Sequence, residues 1–208
     1  MNTAITVIDS IRPSPAEAAG QPVAACLTNR SIFTKNGNDR IYTPDSLARD
    51  IVLHFRPCGR ILEPAAGGGA FERAMPGCES CEIDRGVDFF KCTGHYDWII
   101  TNPPYSIFTR FLAKAVQVAD NIVFLCPENS WGTNKRRRVL VAAGFGTVEI
   151  CSVPLPPKPW PQFGVAVAAT WVRRGWLGSP AHTRLPSALW APDGSHKMIV
   201  ATPDTSRG

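Results

Sequence analysis

The sequence predicts an open α/β fold in which a mostly parallel sheet is covered by helices on both faces. Apolar runs of strand length alternate with segments of helical periodicity from about residue 45 to residue 144. This alternation is typical of parallel strands joined by helices. The last two strand-like runs are separated only by the proline-rich segment 154–159, which has no helical pattern. These two strands are therefore expected to pair antiparallel at one edge of the sheet.

The individual elements follow in a regular order. Thr43 is expected to cap the first helix, with Pro44 at its first position. Gly144 is suited to the C-terminal end of the last helix. The predicted helices span 45–55, 70–75, 107–118 and 135–143, and the predicted strands span 59–62, 78–83, 98–101, 121–126, 147–153 and 165–173.

Length and composition indicate one domain. The chain has 208 residues, of which 44% are apolar, and this is enough for one full core. Residues 1–28 are rich in Ala and Pro and are interpreted as a flexible N-terminal arm. Residues 29–177 are expected to form the folded domain, and residues 178–208 a loop-rich C-terminal tail.

Charge and cysteine content favour a cytoplasmic protein with a polyanionic partner. The net charge of +5 points mildly towards such a partner. No apolar run approaches the roughly 20 residues that span a bilayer, so no membrane association is expected, and no secretory signal is visible. The seven cysteines are an odd number, which suits reduced thiols in a cytosol.

The segment Asn102-Pro103-Pro104-Tyr105 lies between a predicted strand and a predicted helix. Two consecutive prolines lack amide hydrogens and have fixed φ angles, so they form a stiff turn at the strand end. The Asn102 amide oxygen beside a backbone carbonyl offers two acceptors for an exocyclic amino group. The Tyr105 ring is suited to stacking on a planar base. An ordinary loop is the alternative.

A glycine loop, 67–69, follows the strand that ends at Glu63. Ligands of open α/β sheets bind beyond the carboxyl ends of strands, and glycines let a ligand approach the backbone closely. Neither GxxxxGK[ST] nor GxGxxG is matched. The Glu63 carboxylate would repel a pyrophosphate but attract a sulfonium or ammonium centre. A generic tight turn is the alternative.

Acidic residues follow the next predicted strand. Glu82 is suited to binding both hydroxyls of a ribose. Asp88, with Phe89 and Phe90, is suited to accepting from an adenine amine and packing on its ring. Taken alone, each carboxylate is more simply explained as an ordinary solvated charge. The order of these carboxylates, the glycine loop and the Asn102 turn along the chain is what favours a nucleoside ligand.

Zinc is an alternative for one cysteine pattern. Cys78 with Cys81 forms a CxxC pair, and Cys92 with His95 forms a CxxH pair. Because Cys81 belongs to a predicted strand and the acidic residues after it have a better use, no metal is expected.

Together these motifs resemble the S-adenosylmethionine-dependent amino-group methyltransferases, and most closely the adenine-N6 DNA methyltransferases, in the motif order of their gamma group. The resemblance covers about residues 40–175. It implies that Asn102, Pro103, Pro104 and Tyr105 are catalytic. It also implies that the cofactor is bound by Tyr42, Thr43, Pro44, Glu63, Pro64, Ala65, Gly67, Phe71, Glu82, Ile83, Asp88, Phe89 and Asn102.

The resemblance implies a Rossmann-like class I methyltransferase fold and a metal-free reaction by the catalytic domain at 29–177. A flipped adenine would stack on Tyr105 while Asn102 and the Pro103 carbonyl hold its N6 amine. Only three residues separate Asp84 from Asp88, where the family places a helix and part of another strand. The sheet is therefore expected to be trimmed between its second and fourth strands.

Substrate contacts are expected from the basic run at 135–138 and from two aromatic residues. Trp131, Lys135, Arg136 and Arg137 are suited to phosphate contact and stacking. A solvated helix face is the alternative for each charge. Phe163 is the preferred second aromatic over the base, and Trp160 is the second choice.

Three other functions stay open. They are methylation of adenine or guanine amines in RNA, methylation of protein glutamine, and cofactor binding by a subunit that needs a separate DNA-recognition partner. The short chain has no large target-recognition region, which keeps the last of these open, and a homodimer is a further alternative.

Overall fold

The computed structural model describes residues 41–156, 158, 160 and 164–186. The predicted arm at 1–28 and most of the tail, from residue 187 on, lie outside the described residues. The helices are α1 (Asp45–Phe55), α2 (Ala70–Ala74), α3 (Phe108–Val118) and α4 (Asn134–Ala142). The strands are β1 (Ile61–Glu63), β2 (Glu79–Ser80), β3 (Tyr96–Thr101), β4 (Ala119–Pro127), β5 (Phe145–Val153), β6 (Val167–Arg174) and β7 (Ala181–Arg184).

The strands form one mixed sheet with the order β2-β1-β3-β4-β6-β5-β7. β1 pairs in parallel with β2 and β3, and β3 pairs in parallel with β4. β6 runs antiparallel to both β4 and β5. The mostly parallel sheet and the antiparallel pairing of the last two predicted strands are therefore confirmed, although β7 rather than this pair occupies the edge.

Apolar side chains of the central strands alternate between the two faces of the sheet, as the two-residue period of a strand requires. On β3 and β4, Ile99 and Phe124 pack in the cluster that includes the buried residues of α3. Ile100 and Val123 pack in the cluster that includes the buried residues of α1 and α2. The prediction of helices on both faces is confirmed.

The sheet is trimmed at its β2 edge, as predicted. After β2 the chain passes through two short 3₁₀ turns, Ile83–Arg85 and Phe89–Lys91, and then enters β3 directly. β2 itself is shorter than the predicted strand 78–83. The Cys81 amide still donates to the Glu63 carbonyl at 2.8 Å, but Glu82 already caps the first of these turns.

The folded domain continues beyond residue 177, into the segment expected to be a loop-rich tail. β7 pairs in parallel with β5, and the Leu185 amide after it donates to the Ser152 carbonyl at 3.0 Å. Leu185 is buried in the cluster beneath α1. Burial of this one large apolar side chain, together with pairing of the β5 edge, gives a physical reason for the strand in an otherwise polar segment.

Helix α1 has the predicted bounds, but its cap differs by one residue. Pro44 has extended backbone angles and occupies the cap position, so the helix begins at Asp45. The Thr43 hydroxyl is therefore not the cap expected from the sequence, and it accepts a hydrogen bond from a different part of the chain.

Replacing Gly59 by Ala should destabilise the start of β1. Gly59 has φ of +80°, and an added Cβ would lie 2.2 Å from Asp97 Oδ2. That oxygen accepts from the Arg60 amide at 2.7 Å. We expect a loss of about 2 kcal/mol of unfolding free energy in urea denaturation, from left-handed backbone strain and a weakened hydrogen bond.

Gly77→Ala is the matched control. Gly77 has φ of +87° but an added Cβ would have nothing within 4 Å. Only the backbone strain applies there, at about 1 kcal/mol. Equal losses in the two variants would contradict the role given to Asp97.

Candidate functional site

The carboxyl ends of β1 and β3 are joined by a buried hydrogen bond. Thr101, the last residue of β3, donates its hydroxyl to Glu63 Oε1 at 2.5 Å. The Ala65 amide donates to the same oxygen at 2.9 Å. Glu63 is only 1% exposed, so its carboxyl group forms the fixed floor beneath the glycine loop.

Burial controls the protonation of this group. Desolvation raises the pKa of Glu63 from 4.5 to about 8, although the hydrogen bonds from Thr101 and Ala65 favour the charged form. The nearby carboxylates of Glu72 and Glu82 also raise this pKa. The site therefore holds a neutral carboxyl group at neutral pH, and a bound cation would favour its ionisation.

The glycine loop is closed by Glu82. Gly67 and Gly69 have φ of 50° and 80°, in the left-handed region that favours glycine. The Gly67 amide donates to Glu82 Oε2, and the Asp84 amide donates to Glu82 Oε1 at 3.1 Å. A carboxylate oxygen can accept more than one hydrogen bond, so each oxygen of Glu82 can still accept from a ligand.

Tyr42 covers the same loop from the other side. Its ring carbons lie 3.2 Å from where a Cβ at Gly67 would be, so a larger residue at that position would displace the ring. Tyr42 is otherwise exposed. The loop is also held from below, since Arg73 donates to the Gly68 carbonyl at 2.9 Å and pairs with Asp45 at the start of α1.

Asn102 connects the turn after β3 to the segment before α1. Its Nδ2 donates to the Ile41 carbonyl at 3.0 Å and to Thr43 Oγ1 at 3.2 Å. A carbonyl can only accept, so the Ile41 contact determines which amide atom is the nitrogen. Both amide hydrogens are engaged, and the Asn102 oxygen is the atom left to accept from a substrate.

The structure thus brings together side chains from four of the predicted motifs. Glu63, Gly67, Glu82 and Asn102 lie at the carboxyl edge of the sheet, with Tyr42 and Thr43 above them. Pro64 and Pro103 are buried beneath this edge, while Ala65 and Pro44 contribute through their backbone. Ile83 is 67% exposed next to Glu82.

Several predicted aromatic contacts are instead in the core. Tyr105 is 8% exposed, with its hydroxyl 3.4 Å from the Leu125 carbonyl. Phe71 is buried against α1, and the Phe89 ring lies 4.6 Å from that of Phe111. Burial of large aromatic rings is strongly favourable, which accounts for their place in the core.

Asp88 is directed towards its own turn. Its Oδ1 accepts from the Phe90 amide at 2.9 Å, which caps the second 3₁₀ turn. Phe90 is partly exposed, and the Arg110 guanidinium lies 3.9 Å from its ring centroid. Of the two rings expected to pack on an adenine, Phe89 is buried and Phe90 is partly exposed.

The predicted substrate contacts divide into packed and exposed side chains. Trp131 packs on Phe108, and the Arg136 guanidinium lies 4.3 Å from the same ring. Desolvation lowers the pKa of Arg136. Both side chains have a structural role here, whereas Lys135 and Arg137 are exposed. Phe163 lies outside the described residues, and Trp160 is buried.

Two residues of the site were missed by the sequence analysis. Thr101 was treated only as the end of a strand, although a threonine at the end of an apolar strand next to a buried acid is a natural donor. Arg73 was not considered, and its position four residues after Gly69 could have suggested a contact with the loop.

The four residues considered for zinc do not gather into one site. His95 Nε2 lies 3.0 Å from Asp120 Oδ2, and burial raises the pKa of the Cys78 and Cys81 thiols to about 11. Among the described residues, Cys78, Cys81, Cys92 and His95 are not grouped at ligand distance.

In the part of the chain that the structure describes, no helix is both long and apolar enough to cross a membrane.

The sheet order and the reversed strand β6 between β4 and β5 give this chain the Rossmann-like fold of class I methyltransferases. No protein-family model and no curated protein sequence matches the chain. A solved protein from Listeria monocytogenes, described as a candidate class I S-adenosylmethionine-dependent methyltransferase, is similar with a TM-score of 0.53. The two are 12% identical, over 74% of this chain and 68% of that chain.

Two solved restriction–modification proteins have a similar fold. A chain of a type I restriction–modification system has a TM-score of 0.51 at 17% identity, over 76% of this chain and 47% of that chain. The M protein of the type I restriction enzyme EcoKI has a TM-score of 0.50 at 13% identity, over 68% and 45%. This chain therefore spans less than half the length of both.

Replacing Glu63 by Gln should flatten the pH dependence of stability. A carboxyl group whose pKa is about 8 when folded and 4.5 when unfolded favours folding in its protonated form. Its contribution is complete below the lower value and is lost as the pH rises through the upper one. We expect the unfolding free energy of the wild type to fall relative to Glu63→Gln between these two values. Urea unfolding across this range checks this, and parallel profiles would contradict it.

Proposed function

We propose that this protein transfers the methyl group of S-adenosylmethionine to the exocyclic N6 amine of adenine in DNA. The observation that carries the proposal is the Asn102 amide, whose nitrogen is engaged by Ile41 and Thr43 while its oxygen is left as an acceptor. This acceptor lies at the strand end next to the one that carries Glu63 and the glycine loop.

The cofactor is assigned to the edge formed by Glu63, Gly67 and Glu82. A ribose would be held by Glu82, which is already oriented by the Gly67 and Asp84 amides. The Glu63 carboxyl group, once ionised, would favour the positive charge of the cofactor. Tyr42 would lie over the bound cofactor as it lies over the loop, and the exposed Ile83 side chain would pack on the adenine ring.

The reaction assigned to the site is mostly positioning. The Asn102 oxygen and the Pro103 carbonyl would accept the two hydrogens of N6 and direct its lone pair at the methyl group. The N6 nitrogen would form its bond to the methyl carbon as the methyl–sulfur bond is cleaved, the sulfur would keep that electron pair, and the extra proton of N6 would leave to solvent. Such positioning can supply on the order of 7–11 kcal/mol of a barrier.

Tyr105 is assigned first to the support of the turn, because its ring is buried and its hydroxyl contacts Leu125. Stacking of this ring on a flipped base would require it to leave that packing. Pro104 precedes the turn that holds the ring, so the whole segment acts as one unit.

A positively charged face supports a nucleic-acid substrate. Helices α3 and α4 carry six basic residues and no acidic residue. Helices α1 and α2 on the other face carry both signs of charge. Phosphate groups would therefore approach the face of α3 and α4. The basic residues are Arg110, Lys114, Lys135, Arg136, Arg137 and Arg138.

A second candidate function is methyl transfer that depends on a separate recognition partner. The chain spans 47% and 45% of the two restriction–modification proteins that share its fold. An RNA substrate with adenine or guanine amines is tested in the same assays, and a homodimer would be read from the molecular mass of the protein in solution. The cysteines in the described part are free thiols, which supports a cytoplasmic setting.

Asn102→Ala should lower methyl transfer at least 100-fold, because the acceptor for N6 is lost. The assay is transfer of labelled methyl from S-adenosylmethionine to unmethylated DNA, with structured RNA alongside, and nucleoside mass spectrometry. Thr43→Val is the matched control. It removes the hydroxyl that accepts from Asn102 Nδ2 but leaves the Asn102 oxygen in place.

The control separates chemistry from assembly of the site. Thr43→Val should weaken cofactor binding but retain near-normal turnover at saturating cofactor. Near-normal turnover of Asn102→Ala would overturn the mechanism. Label in RNA alone would establish the RNA alternative, and cofactor binding without label in either would point to a missing partner or another substrate.

Arg137→Gln should weaken DNA binding and reduce its salt dependence, because one exposed phosphate contact is lost. The slope of log affinity against log salt should decrease by about 0.9. Arg49→Gln on α1 removes an exposed cation from the opposite face and should leave the slope unchanged. Fluorescence anisotropy with a labelled duplex at several salt concentrations checks this. Equal effects of both variants would exclude the α4 face.

A further inference from the structure

Three side chains of metal-binding type converge on the face of the sheet covered by α1. His54 lies in the last turn of α1, and Glu149 and Cys151 lie two residues apart on one side of β5. His54 Nε2 is 2.6 Å from Glu149 Oε1. One ligand atom from each of the three side chains lies within 4.8 Å of the other two.

We propose that His54, Glu149 and Cys151 form a three-ligand site for a divalent metal ion of the zinc type, with water as the fourth ligand. Imidazole nitrogen, carboxylate oxygen and thiolate sulfur are the three donor types that zinc takes in proteins, with tetrahedral geometry. In such a site the ligand atoms are about 3.3–3.6 Å apart. Side-chain rotations that move the ligand atoms by less than about 1.5 Å would bring them from their present distances to this spacing.

The surroundings suit a metal ion that enters from solvent. Cys151 is 0% exposed, whereas the side chains of His54 and Glu149 are 28% and 15% exposed. The thiol therefore forms the inner wall and the imidazole the outer one. Binding of the metal ion would displace the proton of the Cys151 thiol to solvent.

A hydrogen bond from β7 orients Glu149, one of the three proposed ligands. The Thr183 hydroxyl on β7 donates to Glu149 Oε1, and Thr183 is the register partner of Cys151. Hydrogen bonds of this kind orient carboxylate ligands in metal sites. The metal ion would therefore join α1, β5 and the edge strand β7.

The site is separate from the proposed catalytic edge. Asp45 begins α1 close to Thr43 and Asn102, and His54 lies about 14 Å further along the helix axis. The inference is therefore independent of the proposed methyl transfer. Spacing in the sequence could not indicate it, because His54 and Glu149 are 95 residues apart.

Cobalt binding to the full-length, metal-stripped protein tests the proposal. We expect one cobalt ion per chain, with visible bands of tetrahedral geometry and a thiolate-to-cobalt charge-transfer band, and competition by zinc. His54→Ala should weaken binding at least 100-fold. Glu149→Gln should weaken it at least 10-fold, since an amide is a poorer ligand.

The controls are residues of the same type elsewhere. His95→Ala and Cys58→Ala change an exposed histidine and an exposed cysteine, and both should retain the spectrum. Cys151→Ala leaves a cavity in the core. Loss of the thiolate-to-cobalt band in this variant is therefore interpreted together with its unfolding curve. A spectrum without the thiolate band, or one unchanged in His54→Ala, would overturn the proposal.

Discussion

The Glu63 carboxyl group is a polar group at the end of an apolar strand. Because it is buried, the residues around it must supply hydrogen-bond donors. A buried carboxyl group without partners is costly, so the chain supplies two donors, from Thr101 and Ala65. The first donor requires that β1 and β3 end side by side, and the second requires the chain to turn at once. The glycine loop and the turn at Asn102 therefore begin side by side, one after each of these two strand ends.

Asn102 connects the end of β3 to the segment that lies over the glycine loop. Its nitrogen holds the backbone at Ile41 and the hydroxyl of Thr43, and Tyr42 between them lies over Gly67. One amide therefore connects the segment over the loop to the atom proposed to bind the substrate. Placement of Tyr42 and orientation of the Asn102 oxygen are coupled, since the hydrogen bond to the Ile41 carbonyl is lost if the amide is reversed.

Most of the fold could be predicted because its helices and inner strands have clear periodicity, as in α1 and α3. The strand β7 could not, because its four residues are all exposed and the first large apolar side chain after them is Leu185. For the site, motif order located Glu63, Glu82 and Asn102 correctly at one edge. It could not say that Tyr105 and Phe89 face the core, since a sequence pattern does not show which side of a turn a ring occupies. The cluster of His54, Glu149 and Cys151 depends on packing of α1 across β5, which no local pattern contains.

The short edge strand β2 has a consequence for ligand exchange. Among the described residues, only Glu79 and Ser80 join the ladder at this edge and no strand lies beyond them, so these residues leave the outer side of Glu82 uncovered. A nucleoside bound there would keep one face of its base in water, with Ile83 as its main apolar neighbour. Less apolar surface is then buried per bound molecule, so release would be fast and affinity would depend on polar anchoring. Such a protein would exchange spent for fresh cofactor rapidly.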